Sequence, residues 1–419
     1  MMNEDAFKTM HNRFITNMKS LELFFSIVSI RLKKHEDKIA KSKSDFEVKV
    51  DELFKSLVKE IPLEKNIDTD KKIEKAKRDI NEATYNYFAP FRSHLLKPRQ
   101  LILLFRSAIV ILKSYYDSLI TDLLDYYYRM HKKSIKKEKK FTTDDLLKYD
   151  SIEDLIDDII CEKVNSIVLQ SIKTQLSMIE QNEDLKINLH KEEIINWDIV
   201  EELFQRRNII VHNDGIVNKH YLNNINKNLD FLNKQELKEG CEITIDKKYF
   251  LDVFNELVLV GIIIIQKFWR KFDKDKLKDA NQILIEDMYD LLIDKEWKIV
   301  ERLGLFSRSI NIKDKDDRLY LDFNYLQSLK WQKKEDLLNE ELKKYKVDEL
   351  RPIYKLAIYA LMSDKNNFYK NIKNAIIVDE ITREGFFLWP LFREFRKDKD
   401  YKEKIENLFN EVEREKQNK

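Results

Sequence analysis

The sequence predicts an all-α protein in which a helical bundle follows an N-terminal helical region and precedes an irregular α-solenoid. Glycine and proline together supply only 5 + 5 of the 419 residues, far below the roughly 12% of average proteins. Charged residues reach 36%, and apolar residues recur at helical spacing along most of the chain. A chain with so few turn residues is built from long amphipathic helices.

Residues 1–97 make up the predicted N-terminal helical region, in which we expect three helices. Two of them keep an apolar helical spacing, the earlier at Phe46, Val50, Leu53, Phe54, Leu57 and Val58 and the later at Ile73, Ala76, Ile80, Ala83 and Tyr87. Pro62 separates these two helices because proline interrupts a helix interior. Pro90 and Pro98 mark the boundary to the next domain.

Residues 98–275 predict a helical bundle. The apolar spacing indicates a long helix from Gln100, an acidic helix from Ile152 to Cys161, a helix that ends near Gly215 and a last helix from Tyr249 to Phe272. The segment Cys241–Asp246 follows Gly240 and alternates apolar with polar residues. This alternation predicts a small β-hairpin or extended segment within residues 216–246.

Residues 276–419 predict an irregular series of helical repeats. Four aromatic residues recur at intervals of 34, 37 and 33, namely Trp297, Trp331, Phe368 and Tyr401. A period near 34 resembles the tetratricopeptide repeat, although only Leu303 and Gly304 echo its consensus. We therefore expect a protein or peptide ligand at these repeats. The alternative is an ordinary helical bundle in which four aromatic residues share a period by chance.

The charge and cysteine content restrict the compartment and the partners. A net charge of +2 provides no global positive field, so nucleic acid can be contacted only through local basic patches. Cys161 and Cys241 form no CxxC pair, which points to a reducing cytoplasm and to no structural zinc. Acidic Glu4 and Asp5 argue against a signal peptide. The most apolar run, Leu257–Ile265, is too short to span a bilayer, so we expect no membrane contact.

Several kinds of catalytic site lack support in the sequence. The seven histidines form no HExxH motif and no paired-ligand spacing, so we expect no metal ion and no other cofactor. The sequence also contains no glycine-rich phosphate loop and no GxSxG elbow. P-loop enzymes and hydrolases of the GxSxG type are therefore excluded.

The most informative segment runs from Arg206 to Gly215, where two arginines and a histidine follow an apolar helix. We expect the buried stripe of this helix to consist of Val200, Leu203, Phe204, Ile210 and Val211. A rotation of about 100° per residue then places Arg207 in the middle of the stripe. Because a lone buried guanidinium is costly, Arg207 should face a carboxylate, a subunit interface or a phosphate-binding cleft.

A second, polar stripe lies beside it and consists of Glu201, Gln205, Asn208 and His212. Asn208 and His212 are one turn apart and can share a partner. Gly215 stands where the helix should end, so His212 lies in the last turn, where the helix dipole favours a protonated imidazole. The alternative interpretation is that Arg207 pairs with a carboxylate of another helix and His212 only caps the helix.

Arg207, Asn208, three aliphatic residues and His212, followed by Asn-Asp-Gly, resemble the Arg-x4-6-His signature of the HEPN (higher eukaryote and prokaryote nucleotide-binding) domain. Many members of that family are metal-independent ribonucleases. The resemblance implies a four-helix bundle with the motif in its third or fourth helix. It also implies RNA transesterification, in which His212 transfers a proton, Arg207 neutralises phosphoryl charge and Asn208 orients either group.

Three further residues are expected to support this site, namely Arg206, Gln205 and Asn213. We rank Arg206 below Arg207 because Arg206 leaves the predicted buried stripe.

Arg207 and His212 are separated by about 140° around one helix, so they do not readily converge on one phosphate. HEPN nucleases place two motifs in one cleft by forming two-fold dimers, and the resemblance therefore implies a homodimer that acts on RNA. It also suggests a toxin or antiphage-defence role of the abortive-infection type. Two alternatives are a non-catalytic HEPN module that binds a nucleotide or a protein, and a helical scaffold in which Arg207 and His212 are structural.

A basic segment follows the three tyrosines 126–128 and supplies the predicted RNA-binding residues Lys132, Lys133, Lys136 and Lys137. Its cations suit phosphates and its aromatic rings suit base stacking. The alternative is a solvated loop that pairs with the acidic residues between Asp144 and Asp158.

Overall fold

The computed structural model describes residues 5–60, 100–135, 148–225, 237–379 and 381–417, with isolated positions between 71 and 82 and at 142 and 146. In these residues the regular secondary structure is helical, and the only β-structure is one isolated antiparallel bridge. The predicted all-α fold class is thereby confirmed.

The α-helices of the described residues are numbered here in chain order. The earlier ones are α1 (Ala6–Glu60), α2 (Gln100–Met130), α3 (Ile152–Val168), α4 (Ile172–Gln181), α5 (Trp197–His212), α6 (Lys219–Asn223) and α7 (Lys247–Phe272). The later ones are α8 (Leu277–Ile293), α9 (Trp297–Ser309), α10 (Lys315–Trp331), α11 (Glu335–Leu342), α12 (Pro352–Leu361), α13 (Lys365–Val378), α14 (Arg383–Leu388) and α15 (Tyr401–Gln417).

α1 is one uninterrupted helix where we predicted two. It includes residues 46–58, which the prediction assigned to a separate helix. Neither glycine nor proline occurs between residues 6 and 60, so nothing in the backbone forces a break. The helix predicted from Ile73 to Tyr87 lies outside the described ranges, apart from isolated positions.

The helices predicted within residues 98–275 are confirmed, with adjusted ends. α2 begins at Gln100 as predicted, and the acidic helix α3 continues past Cys161 to Val168. Of the β-hairpin or extended segment predicted within residues 216–246, the described residues show one antiparallel bridge, between Ile216 and Glu242.

α7 is the one helix of the described residues that is long and apolar enough to cross a membrane, with a mean hydropathy of 1.8 in its most apolar stretch. However, 83% of that stretch is buried inside the protein, as in the core helix of a globular protein. The run Leu257–Ile265 lies within α7 and is buried, as its composition predicted.

The chain divides into two compact units. The first contains Met1–Arg13, Ser118–Val200 and Asn255–Lys419, and the second contains Phe14–Asp117 and Glu201–Phe254. Each unit is assembled from segments that are distant in the sequence, because the division falls within α1, α2, α5 and α7. The domain boundaries predicted at 97/98 and 275/276 describe a different, sequential division and stay predictions.

In the first unit, the start of α1 packs among helices that come later in the chain. The ring of Phe7 lies 4.7 Å from that of Tyr126 and stacks on Trp269 at 5.8 Å, measured between centroids. One turn later, buried His11 places its Nε2 atom 2.9 Å from Oδ2 of Asp287 on α8. These contacts attach the first turns of α1 to α2, α7 and α8.

Three turns of the same geometry join consecutive helices of the first unit, α8 to α9, α10 to α11 and α12 to α13. The second residue of each turn is left-handed, with φ of 67° at Lys295 and 58° at both Lys333 and Ser363. The next amide donates to the carbonyl five residues earlier, for example Glu296 to Leu291 at 2.9 Å, as in a Schellman motif. The four predicted aromatic residues do not take equivalent places relative to these turns. Trp297 and Tyr401 begin helices, whereas Trp331 ends one.

The second unit, which contains the Arg/His motif, has an aromatic core. Phe25 of α1 lies 4.6 Å from Phe105 of α2 and 4.0 Å from Phe250 of α7, between ring centroids. Tyr116 of α2 contacts Phe204 of α5 edge-on at 5.2 Å. All five rings are buried. The turn of α5 that precedes the motif is thus anchored on α2.

Candidate functional site

The motif helix α5 buries a different stripe from the one predicted. Three apolar side chains are buried as expected, namely Val200, Leu203 and Phe204. Ile210, however, is only half-buried and Val211 is 47% exposed, because the stripe continues through Arg206 and Ile209. The ranking of the two arginines by burial was therefore wrong: Arg206 is 0% exposed, and Arg207 is half-buried.

Arg206 can occupy an apolar position because a buried polar network satisfies it. Its Nε donates to Oε1 of Glu202 at 2.7 Å, and its Nη1 donates to the carbonyl of Thr244 at 2.9 Å. The hydroxyls of Tyr221 and Tyr249 donate to the two carboxylate oxygens of Glu202, at 2.5 and 2.7 Å. The guanidinium also lies over the ring of Tyr249, 3.8 Å from its centroid. A buried charge of each sign is thus paired and hydrogen-bonded.

Protonation in this network follows from burial and pairing. Burial alone would lower the pKa of Arg206, but the charge of Glu202 raises it above its ordinary value. Burial raises the pKa of Tyr221 and of Tyr249 well above the ordinary value, so both phenols stay protonated and donate. Sequence analysis missed Glu202, although a glutamate four residues before an arginine on one helix is a favourable pair.

Arg207 and Asn208 lie outside this network. Asn208 is exposed, and its Oδ1 accepts a hydrogen bond from Nη1 of Arg207 at 3.2 Å. Nε of Arg207 is buried and has no hydrogen-bond partner. Within the described part of the chain no ion pair holds this guanidinium. Nη2 of Arg207 therefore remains able to donate to a bound anion.

His212 is the last residue of α5, and its side chain is exposed. Its imidazole makes no hydrogen bond to any described residue. The ring is therefore accessible to a ligand and is not committed to capping the helix. Gln205 is half-buried and lies on the same polar stripe, two turns before His212.

The loop after His212 is fixed by Arg106 of α2, a residue that sequence analysis missed. Nη1 of Arg106 donates to Oδ1 of Asp214 at 3.0 Å, and Nη2 donates to Oε1 of Glu242 at 2.9 Å. Gly215 has a φ of +74°, and a Cβ atom placed on it would lie 2.4 Å from Nη2 of Arg106. The backbone conformation and the close approach of Arg106 both favour glycine here.

Asn213 contributes to the same loop through a structural contact. Its Nδ2 donates to the carbonyl of Ile216 at 2.6 Å, and its backbone amide donates to the carbonyl of Ile209 at 2.9 Å. The side chain of Asn213 thus shapes the end of the motif helix, and its supporting role at the site stays a prediction.

The arrangement offers an accessible imidazole, a guanidinium and an amide, but it does not bring all three together. Asn208 and His212 lie one turn apart on one side of α5. Arg207 is five residues before His212, about 140° away around the helix axis. A single copy of α5 therefore does not direct Arg207 and His212 at the same phosphate.

The basic segment of the first unit has less aromatic surface than predicted, because only Tyr126 of its three tyrosines is even partly exposed. Tyr127 and Tyr128 are both 0% exposed, so they cannot stack on bases. Lys132 and Lys133 are exposed in a short 3-10 turn. Arg129 pairs with Asp125 at 2.7 Å and with Asp157 at 2.5 Å, which agrees with the predicted pairing to the acidic residues that follow. The predicted contacts of Lys136 and Lys137 fall outside the described residues.

The described residues contain no group of three or more histidine, cysteine, aspartate or glutamate side chains placed to hold a metal ion. Comparisons of the chain with protein-family models, curated proteins and solved structures gave no match. The candidate site is therefore defined by its own geometry.

Proposed function

We propose that this protein is a metal-independent endoribonuclease of the HEPN type, whose site is completed by a second copy of the chain. The observation that carries the proposal is the contrast between two adjacent arginines. The charge of Arg206 is satisfied inside the protein, whereas Arg207, Asn208 and His212 lie at the end of α5 and form no ion pair with any other described residue. A free cation and a free imidazole are the groups that phosphodiester cleavage requires.

In the proposed reaction the ribose 2′-hydroxyl attacks the adjacent phosphorus, and the bond to the 5′-oxygen of the next nucleotide breaks. His212 accepts the proton of the 2′-hydroxyl or donates one to the leaving oxygen. Arg207 donates hydrogen bonds to the non-bridging phosphoryl oxygens, where negative charge builds up. The products are a 2′,3′-cyclic phosphate and a 5′-hydroxyl.

The separation of Arg207 from His212 on α5 makes the second copy necessary. In a two-fold dimer, Arg207 of one copy faces His212 of the other across the interface, and both contact one phosphate. Val211 lies between these two residues in the sequence and is 47% exposed, so it supplies apolar surface for such an interface. The role that fits this activity is a cytoplasmic toxin or antiphage-defence nuclease with a protein or peptide ligand at residues 276–419.

The test is incubation of the purified protein with total RNA and with transfer RNA, in EDTA, followed by analysis of the product ends. We expect cleavage in EDTA that leaves 2′,3′-cyclic phosphate and 5′-hydroxyl ends. Cleavage that EDTA abolishes and Mg²⁺ restores would contradict the proposal. His220→Ala, which changes another exposed histidine of the second unit, is the matched control for His212→Ala.

A non-catalytic module is the second candidate function. It is favoured by the angle of about 140° between Arg207 and His212, which suits two separate contacts with a nucleotide or a protein better than one reacting phosphate. Binding of RNA or nucleotide without any cleavage, weakened by Arg207→Ala, would support this function.

A helical scaffold is the third candidate. The three equivalent turns at Lys295, Lys333 and Ser363 favour it, because repeated helical hairpins build extended surfaces for protein ligands. Full biological function of His212→Ala would support the scaffold and contradict the nuclease.

A further inference from the structure

Among the described residues, three buried polar atoms besides Nε of Arg106 lack hydrogen-bond partners where α2 contacts the motif helix. They are the hydroxyl oxygen of Tyr116, Oδ1 of Asp117 and Nε of Arg207. A buried polar atom without a partner destabilises the folded state, so native proteins keep few of them. Their occurrence on these two helices, beside the candidate site, needs an explanation.

The contacts of α2 with α5 bring these residues to one place. Arg106 contacts Asp214 and Tyr116 contacts Phe204, so the two helices run antiparallel. Counting residues in opposite directions along the two helices between these contacts places Arg207 at the same height as Lys113. Nζ of Lys113 indeed lies 5.2 Å from the ring centroid of Phe204, one turn before Arg207.

Lys113 and Asp117 form an ion pair at this level of the bundle. Nζ of Lys113 lies 2.5 Å from Oδ2 of Asp117, and the two side chains are only 14% and 24% exposed. Burial raises the pKa of Asp117, whereas the hydrogen bond from Lys113 and the charges of Lys113 and Arg207 oppose that rise. One carboxylate oxygen is therefore held by Lys113, and the other is left without a donor, while Nε of Arg207 lacks an acceptor.

We propose that Asp117, held by Lys113, is a positioning residue for Arg207. A hydrogen bond from Nε of Arg207 to Oδ1 of Asp117 would satisfy two orphaned atoms at once. A carboxylate on the Nε edge fixes the plane of the guanidinium and leaves its terminal nitrogens to bind a phosphate. The role in cleavage rests on the proposed nuclease function, whereas the pairing of Asp117 with Arg207 does not.

The pairing is tested by the rate at which phenylglyoxal modifies Arg207 in the full-length protein, followed by peptide mass spectrometry. Asp117→Asn keeps the shape of the side chain but removes its charge, and we expect Arg207 to be modified several-fold faster. Asp117→Glu should restore a slow rate. The control is Asp252→Asn, which removes another aspartate paired with a lysine four residues away, at 2.8 Å in the same unit.

An unchanged rate at Arg207 in Asp117→Asn, relative to Asp252→Asn, would overturn the pairing. If every arginine of Asp117→Asn reacts faster, the variant is unfolding. The modification rate of Arg207 in Lys113→Gln then tests the pairing instead. Loss of the lysine frees Asp117 for Arg207, so the pairing predicts slower modification of Arg207 in Lys113→Gln. An unchanged or faster rate in that variant would overturn it.

The role in cleavage is tested by the kinetics of the same variants. Misplacement of Arg207 should lower kcat by roughly tenfold to a hundredfold in Asp117→Asn with little change in KM, and Asp117→Glu should recover most of the loss. Equal kcat values for Asp117→Asn and Asp252→Asn would overturn the role in cleavage. If the wild-type protein cleaves no RNA but Asp117→Asn still exposes Arg207, the pairing stands and the nuclease proposal fails.

Discussion

Arg206 and Arg207 are adjacent in the sequence but lie in opposite environments. Arg206 is fully buried with Glu202, whereas Arg207 is half-buried and has only the amide of Asn208 as an acceptor. The first arginine therefore serves the stability of the second unit, and the second is available for a ligand.

Arg206→Ala should lower the free energy of unfolding by about 3–5 kcal/mol, because it leaves the buried carboxylate of Glu202 without its cation. Arg207→Ala removes a half-buried guanidinium together with its proposed contact with Asp117, which Lys113 still pairs, and should cost about 1–2 kcal/mol. Urea unfolding of both variants measures the difference. Equal losses in the two variants would contradict the division of roles.

At the residue scale, the sequence predicted where the motif helix ends but not the environment of each side chain. The helix was predicted to end near Gly215 with His212 in its last turn, and both expectations are confirmed. The predicted buried stripe differs from the observed one because the prediction used only the spacing of apolar residues. In the structure the Glu202–Arg206 ion pair occupies two of the buried positions. Lys113, Asp117 and Arg106 could not be found, since no local pattern links α2 to the motif.

Helix ends and helix contacts determine how the motif is presented. The end of α5 depends on Gly215, whose left-handed conformation and closeness to Arg106 both favour glycine. The start of α1 depends on a buried contact between His11 and Asp287.

Gly215→Ala should destabilise the protein by about 1–3 kcal/mol, because alanine is strained at a φ of +74° and its Cβ atom would displace Arg106. Thermal unfolding measures the loss. Gly240→Ala is the matched control, since Gly240 also has a positive φ, of +85°, but no atom lies within 4 Å of an added Cβ. A loss no larger than that of the control would show that Arg106 moves away without cost.

His11 should make stability depend on pH. Burial alone would lower the pKa of His11, but the charge and hydrogen bond of Asp287 raise it above 6.5. A raised folded pKa means that the stabilisation is fully present below the unfolded pKa, near 6.5, and is lost as pH rises through the folded pKa. Thermal unfolding of wild type and His11→Gln between pH 5.5 and 9 should show the advantage of the wild type shrinking as pH rises. A difference that stays constant with pH would contradict this linkage.

At the element scale, helix positions could be predicted better than helix continuity. Apolar spacing and turn residues gave the starts of α2 and α3 and the end of α7 to within two residues. α1 was divided in error because its apolar pattern weakens around residues 33–45, where charged side chains cluster although helix formation continues. The predicted repeats do not coincide with the observed helix pairs. The helices are joined by left-handed turns at Lys295, Lys333 and Ser363, and the spacing of aromatic residues does not mark these turns.

On the scale of the whole molecule, the first unit combines residues from both ends of the chain. Arg302 of α9 donates to both carboxylate oxygens of Glu256 on α7, at 2.8 and 2.6 Å, and to the carbonyl of Ile194 at 2.6 Å. His11 contacts Asp287 in the same unit. Low glycine and proline content predicted the helical class, but spacing within a helix carries no information about which distant segment packs against it.

Removal of residues 276–419 separates the two interpretations of domain organisation. The sequential division predicts a soluble N-terminal fragment that retains cleavage. The contacts within the first unit predict instead a fragment that aggregates or melts at a lower temperature, because Glu256 and His11 lose their partners. Solubility and thermal unfolding of residues 1–275 provide the measurement, and a soluble fragment with an unchanged Tm would contradict the second expectation.

A composite site across two copies of the chain is tested most directly by mixing Arg207→Ala with His212→Ala and measuring RNA cleavage in EDTA. Each variant alone should be about a hundredfold less active than wild type, since it lacks the cation or the imidazole in both copies. After subunit exchange about half of the dimers are mixed, and each mixed dimer has one intact Arg207–His212 pair of two. Cleavage should therefore return to about a quarter of the wild-type rate. A fully exchanged mixture that stays as inactive as the separate variants would contradict a site shared between two copies.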